Sequence, residues 1–119
     1  MTTVLPFIRV PDIGYAKSWY ESIGFNCVGT HEHPTCGLDW AMMQCEGAMF
    51  MLYPYLPDTI STANNCGLYF KMDSIKGMEE KLNGKVRIIE TVAKTEYGRK
   101  EITFHDCNGF QVTFSSEPD

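Results

Sequence analysis

The chain has 119 residues, 44% hydrophobic and 21% charged, enough for one compact domain with a sizeable core and too ordinary a balance for disorder. Its formal net charge of −5 argues against a nucleic-acid or acidic-membrane surface and favours neutral or cationic partners. No stretch is long or apolar enough to span a bilayer, and the N-terminus lacks the basic region and apolar core of a signal peptide. Cys27, Cys36, Cys45, Cys66 and Cys107 are odd in number and widely spaced, which fits buried thiols in a reducing cytoplasm better than a disulfide framework.

In chain order, Val4 to Val10 reads as a strand, and Pro11-Asp12 starts a helix whose free amides Asp12 is placed to cap. Ile13, Ala16, Trp19, Tyr20 and Ile23 recur at helical spacing, and Gly24 supplies the left-handed residue that ends the helix. A strand is expected from about Phe25 to Thr30, then a polar loop holding His31, His33, Pro34 and Gly37. Trp40–Cys45 and Ala48–Tyr53 form a hairpin joined by Glu46-Gly47. Residues 54–65, polar and with two prolines, read as a linker.

The second half repeats this plan. Setting Phe7 on Tyr69 also sets Val10 on Met72, Asp12 on Ser74, Ile13 on Ile75, Ala16 on Met78 and Tyr20 on Leu82. The expected elements are a strand Cys66–Met72, a Ser-capped helix Ser74–Leu82, and strands at about Lys85–Val92, Arg99–His105 and Phe110–Ser115. Between the last two strands stand His105, Asp106 and Cys107, three metal-binding residue types in a row. Neighbouring strand side chains point to opposite faces, and Asp-Cys-Asn-Gly has the composition of a hairpin turn, so a turn is expected there rather than a metal site. His31 and His33 share a side of an extended segment, but a polar loop accounts for them.

Three stretches carry a resemblance across nearly the whole chain. "LPFIRVPDIGYAKSWYESIGF", "GLYFKMDSI" and "EYGRKEITFHDCNGFQVTF" resemble the paired module openings and closing strands of the glyoxalase/bleomycin-resistance/extradiol-dioxygenase (vicinal oxygen chelate) superfamily, its bleomycin-resistance type above all. In the last stretch Cys107 replaces the usual proline of the turn, and Phe110 the usual asparagine. The resemblance implies an α+β fold: two βαβββ modules forming a curled mixed-sheet cup with the helices outside. A single domain spanning 1–119 is implied, with modules at about 1–55 and 65–119 and a linker at 56–64. A homodimer, with swapped modules, is implied as well. Metal-dependent members place four ligands at positions that fall here on Leu5, Met51, Gly67 and Thr113, none of them a ligand of the expected kind. No metal or other cofactor is therefore expected.

Strand register, with the ligand place that the resemblance implies at Met51, then selects a cavity wall. With Glu46-Gly47 as a two-residue turn, Cys45 opposes Ala48, Met43 opposes Phe50 and Ala41 opposes Leu52, so Trp40, Met42, Met49, Met51 and Tyr53 share the other face. The same parity adds Phe7, Tyr69, Glu101, Thr103, His105, Gln111 and Thr113, and sends Ile8, Val10, Phe70, Ile102, Phe104, Val112 and Phe114 towards the helices. An aromatic and methionine-rich wall suits a flat or hydrophobic small molecule, and the acidic balance favours a cationic one. The expected function is metal-free sequestration of such a compound, as in antibiotic resistance, with no nucleic-acid or membrane partner. The alternatives are a lyase, isomerase or thiol transferase of this superfamily, with an altered metal set or using Glu101 with His105 as acid and base, and a regulatory or structural module with a vestigial cavity.

Overall fold

The computed structural model describes residues 1–63 and 65–118, apart from the side chains of residues 91–94. Two compact units make up the chain, Met1–Ser61 and Thr62–Asp119, and the division falls inside the expected linker. The first contains β1 (Phe7–Val10), α1 (Ile13–Ser22), β2 (Asn26–His33), β3 (Gly37–Cys45) and β4 (Ala48–Pro54). The second contains β5 (Gly67–Lys71), α2 (Met78–Leu82), β6 (Arg87–Lys94), β7 (Lys100–His105) and β8 (Gln111–Ser116). The sheet orders are β1-β4-β3-β2 and β5-β8-β7-β6, each with a parallel pair (β1 with β4, β5 with β8) and antiparallel neighbours beyond it. The βαβββ plan is thus present twice.

Capping starts α1. Asp12 is extended (φ −143°), and its Oδ1 accepts the Tyr15 amide at 3.0 Å, satisfying an amide that the first turn leaves without a partner. Ile13, Ala16 and Tyr20 form the buried stripe of the helix. Tyr20 meets Phe25 and Phe50 edge-on, each with ring centroids 5.1 Å apart, and these rings lie among Ile8, Val10, Ala41, Met43 and Leu52, all buried. In the second unit Phe70, Ile102, Phe104, Val112 and Phe114 are buried, with Phe114 edge-on to Phe70 and to Phe104.

The Asp106–Gly109 turn is built as its composition predicts. Asp106 Oδ1 accepts the amides of Asn108 at 2.8 Å and Phe110 at 2.9 Å, and the Gly109 amide donates to the Asp106 carbonyl at 3.1 Å. Gly109 has φ +88°, where a side chain is strained.

Several elements differ from expectation. The first strand begins only at Phe7, because Pro6 has no amide to donate; its carbonyl still accepts the Met51 amide at 2.9 Å. His31 and His33 lie in β2 rather than a loop, since pairing with β3 (His31 opposite Trp40, His33 opposite Gly37) extends the hairpin down to the Pro34–Cys36 tip. The second helix is one short piece, Met78–Leu82, preceded by Gly77 at φ +79°, a conformation no helix interior adopts. Ser74 Oγ accepts the Lys76 amide at 3.1 Å, closing a turn instead of capping the helix. The cysteines are not buried: Cys36 and Cys66 are exposed and the other three half-buried.

Cys107 occupies the second position of the Asp106–Gly109 turn, where proline is favoured. Cys107→Pro should therefore raise unfolding stability by about 0.4–1 kcal/mol, chiefly by restricting the unfolded chain, as urea titration would show.

Candidate functional site

Each sheet has one face buried and one face bearing chemistry. In the first unit the register pairs Phe7 with Met51, Arg9 with Tyr53, Met42 with Met51 and Gln44 with Met49, so these side chains share a face with Trp40. The face is half-open: Phe7 is 51% exposed and Met49 36%, while Trp40, Met42, Met51 and Tyr53 are half-buried. Phe7 and Tyr53 are in contact, with centroids 4.9 Å apart and ring planes at 45°. Gly29 on β2 makes room for the Trp40 indole, since a Cβ there would lie 3.1 Å from the ring.

In the second unit the corresponding face carries Gly67, Tyr69 and Lys71 from β5, Gln111, Thr113 and Ser115 from β8, and Glu101, Thr103 and His105 from β7. Its centre is closed: Thr103 and Thr113 are buried, with hydroxyls 2.9 Å apart that satisfy each other. Around Glu101 the face is polar. Tyr69 and Tyr97 both donate to Glu101 Oε2, the latter at 2.6 Å. The Tyr69 hydroxyl also lies 2.8 Å from Ser115 Oγ. Arg99 Nε donates to Ser115 Oγ at 2.6 Å, and its Nη1 pairs with Glu117 at 3.2 Å.

These contacts decide the charge at Glu101. Burial alone would raise its pKa, but hydrogen bonds from Tyr69, Tyr97 and Ser115, with the Arg99 charge, hold it below the usual 4.5. The hydrogen bond to Glu101 pushes the Tyr97 phenol up to about 12, with partial burial and the Glu101 charge adding to it. Glu101 is therefore ionised at neutral pH and Tyr97 keeps its proton, so neither is poised for proton transfer there. His105 stands four residues from Glu101 on one strand, roughly 13 Å away, with Thr103 between them. The structure does not bring this acid/base pair together.

The metal places of the superfamily do not fit a divalent ion. Leu5 and Met51 offer no nitrogen or oxygen ligand, and Thr113 spends its hydroxyl on Thr103. A Cβ at Gly67 would lie 2.9 Å from the Gln111 carbonyl oxygen, so no ligand side chain enters there without moving β8. Among the described residues no three His, Cys, Asp or Glu side chains converge as a metal site. His31 Nδ1 sits 2.7 Å from Asp39 Oδ1, and His33 Nδ1 accepts the Thr35 amide at 3.2 Å, so the two imidazoles have separate local partners. Burial, then the neighbouring Asp106 charge, pushes the Cys107 thiol up to about 12, so it is protonated at neutral pH.

Among the described residues, recesses lie within single units. One of about 310 Å³ in the second unit is lined by Ala63, Asn65, Cys66, Gly67, His105 and Gln111, so it gathers two of the expected wall residues. Another, of about 450 Å³, lies at the start of α1 among Pro11, Asp12, Gly14, Cys36, Leu38, Asp39 and Pro54, on none of the expected positions. Arg9, Gln44 and Ser115 were not among the expected residues, although strand parity alone assigns them to these faces. Arg99 and Tyr97 were missed too, and Tyr97, in the turn before β7, shows no periodic signal.

No protein-family model and no curated protein sequence matches the chain. Solved structures do match. The bleomycin resistance determinant encoded on the transposon Tn5 has a TM-score of 0.76 at 15% identity, covering 100% of both chains. TioX from Micromonospora sp. ML1 has a TM-score of 0.77 at 15% identity, covering 99% of this chain and 98% of its own. TnmS3, an antibiotic-binding protein from Streptomyces sp. CB03234, has a TM-score of 0.74 at 21% identity, covering 98% of each. The chain is an α+β protein with the glyoxalase/bleomycin-resistance fold, and it resembles the bleomycin-resistance type.

Because the folded pKa of Glu101 lies below its usual 4.5, its contacts stabilise the fold above that pH and are lost as pH falls through the folded value. Wild type should exceed Glu101→Gln in stability at pH 7, and the gap should close in acid as the pH falls below 4.5 and through the lowered folded value; paired urea titrations from neutral to acid pH would show it.

Proposed function

We propose that the chain binds and sequesters an aromatic, largely apolar small molecule, without a metal and without covalent chemistry. The observation that carries this reading is the half-open face of the first unit, where Phe7, Trp40, Met42, Met49, Met51 and Tyr53 share one side of a sheet whose other side is core. Methionine and aromatic side chains make an adaptable apolar wall, and Trp40 sits on it as a built-in reporter. Support comes from the fold neighbours: one is a bleomycin-binding protein complexed with bleomycin, and another is described as antibiotic-binding. That likeness supports a resistance role through sequestration.

Tyr69, Glu101, Thr103, His105, Gln111 and Thr113 are the proposed contribution of the second unit, with Thr103 and Thr113 acting as a structural floor. An ionised Glu101 beside two tyrosines, in a chain of net charge −5, supports a cationic centre on the ligand at this face. The reading is of one domain, 1–119, working in the cytoplasm, where five thiols outside disulfides are stable. Catalysis is not part of it, since Glu101 and His105 do not form a pair.

Titration with a planar apolar compound such as 2-naphthamide should quench Trp40 emission, and Trp40→Ala should weaken binding by about 2 kcal/mol. Trp40→Ala should remain folded with a modest loss, whereas Phe50→Ala, which empties a site 1% exposed, should cost about 3–5 kcal/mol. Equal destabilisation by both would make the Trp/Met face ordinary core and remove the main support for binding. The open apolar face also supports a homodimer, so light scattering at micromolar concentration should return twice the chain mass of 13.5 kDa.

A further inference from the structure

Arg9 is the cation that the first unit's open face does not neutralise. It follows Phe7 by two positions on β1 and lies opposite Tyr53 on β4, so it belongs to the same face as the aromatic residues. Its Nη1 donates to the Pro54 carbonyl at 3.0 Å, which fixes the side chain along the strand pair. The guanidinium carbon then stands 5.5 Å from the centroids of both the Phe7 and the Tyr53 rings. Lys17 is paired with Glu21 at 3.1 Å and Arg99 with Glu117 at 3.2 Å. Arg9, by contrast, has no carboxylate partner among the described residues. One of its five donors is spent on Pro54, and a guanidinium with donors left over can give two parallel N–H bonds to an oxyanion.

We propose that Arg9 is an anion anchor: the compound sequestered on this face carries a carboxylate, or a comparable oxyanion, attached to its aromatic ring. This deepens the sequestration reading and rests on it. The ring packs on Phe7, Tyr53 and Met51 while the carboxylate takes two N–H donors of Arg9. Guanidinium suits the role better than ammonium because it stacks on aromatic faces and meets a carboxylate in the same plane. The net charge of −5 is no obstacle, because exposed charges beyond about 8 Å are screened at physiological salt while a paired contact is not. The anchor sets the charge of the ligand at the first unit's face only, so it does not compete with a cationic centre at Glu101. A rival account makes Arg9 a staple alone, holding the ends of β1 and β4 together through Pro54. A staple would have no preference for ligand charge.

The experiment compares 2-naphthoate with its neutral amide, 2-naphthamide, by equilibrium dialysis against the full chain and against Arg9→Met, which keeps an apolar stem and loses the charge. Wild type should bind the carboxylate about tenfold more tightly than the amide, as a charged hydrogen-bonded pair predicts. Arg9→Met should abolish that ratio, because the carboxylate loses more than the amide does. Equal affinity of wild type for the two probes, or a ratio that persists in Arg9→Met, overturns the anchor and leaves sequestration standing. Binding of neither probe by wild type sinks the sequestration reading at this face and the anchor with it. Should Arg9→Met melt early, Arg9→Lys decides. A threefold or greater fall in the ratio supports the anchor, since the fork is lost with the charge kept, and an unchanged ratio overturns it.

Discussion

The whole arrangement depends on strand register, because side chains alternate across a sheet with a period of two. In the first unit the register is pinned by the Glu46-Gly47 turn, which sets Cys45 against Ala48, Met43 against Phe50 and Ala41 against Leu52. A slip of one residue would carry Trp40, Met42 and Met51 to the side of α1, and Ala41, Met43 and Leu52 to the other. Such a slip is opposed by Tyr20, which needs Phe25 and Phe50 edge-on against it, and by Gly29, which alone leaves room for Trp40. Core packing and the functional face are two consequences of one constraint. Neither can be altered by a shift that spares the other.

The second unit obeys the same register with different chemistry. Its closing turn is held by Asp106, and the β7–β8 pairs that follow place Glu101 opposite Ser115 and Thr103 opposite Thr113. The hydroxyl pair in the middle is buried and satisfied, so the polar chemistry concentrates at the Glu101 end. There Arg99, Ser115, Tyr69, Glu101 and Tyr97 form one connected chain of donors and acceptors, with the carboxylate as its sink. A carboxylate so supplied is a fixed negative charge and a poor base, which is what a binding surface asks of it and a catalytic one does not.

Most of this was legible in the sequence, and the reasons are local. The Asp12 cap, the two-residue Glu46-Gly47 hairpin and the Asp106–Gly109 turn are short-range chemistry, and parity does the rest once a turn is placed. The illegible parts are those settled by distant pairing or by a single dihedral angle. The strand through His31 and His33 looks polar and loop-like, and only its ladder with β3 makes it a strand. The second helix has the right periodicity from Ser74, yet Gly77 at a positive φ confines it to Met78–Leu82. Strand parity places Arg9 and Ser115 on these faces, but a charged or small residue carries no apolar signal that marks it as part of a wall. Tyr97 reaches Glu101 from an irregular turn, and no sequence period points there.

The poor fit of the implied metal places and the apolar character of the first unit's open face have a common physical basis. A chelating site needs side chains at four register positions, and at Gly67 the backbone of β8 is so close that even a methyl group would contact the Gln111 carbonyl. Thr113 is turned inward to Thr103, and Met51 stands between Phe7 and Met42 in the register as part of the apolar wall. Restoring one ligand would recover little, because a lone imidazole or carboxylate at Met51 would face Phe7 and Met42 with no second ligand from Leu5 to share an ion. Of the four positions, Leu5 and Met51 carry apolar side chains, Gly67 none, and Thr113 a hydroxyl bonded to Thr103. Arg9 in one unit and Glu101 in the other sit beside aromatic rings rather than in a coordination shell. That juxtaposition of charge and ring is suited to holding a flat, polar-edged molecule intact.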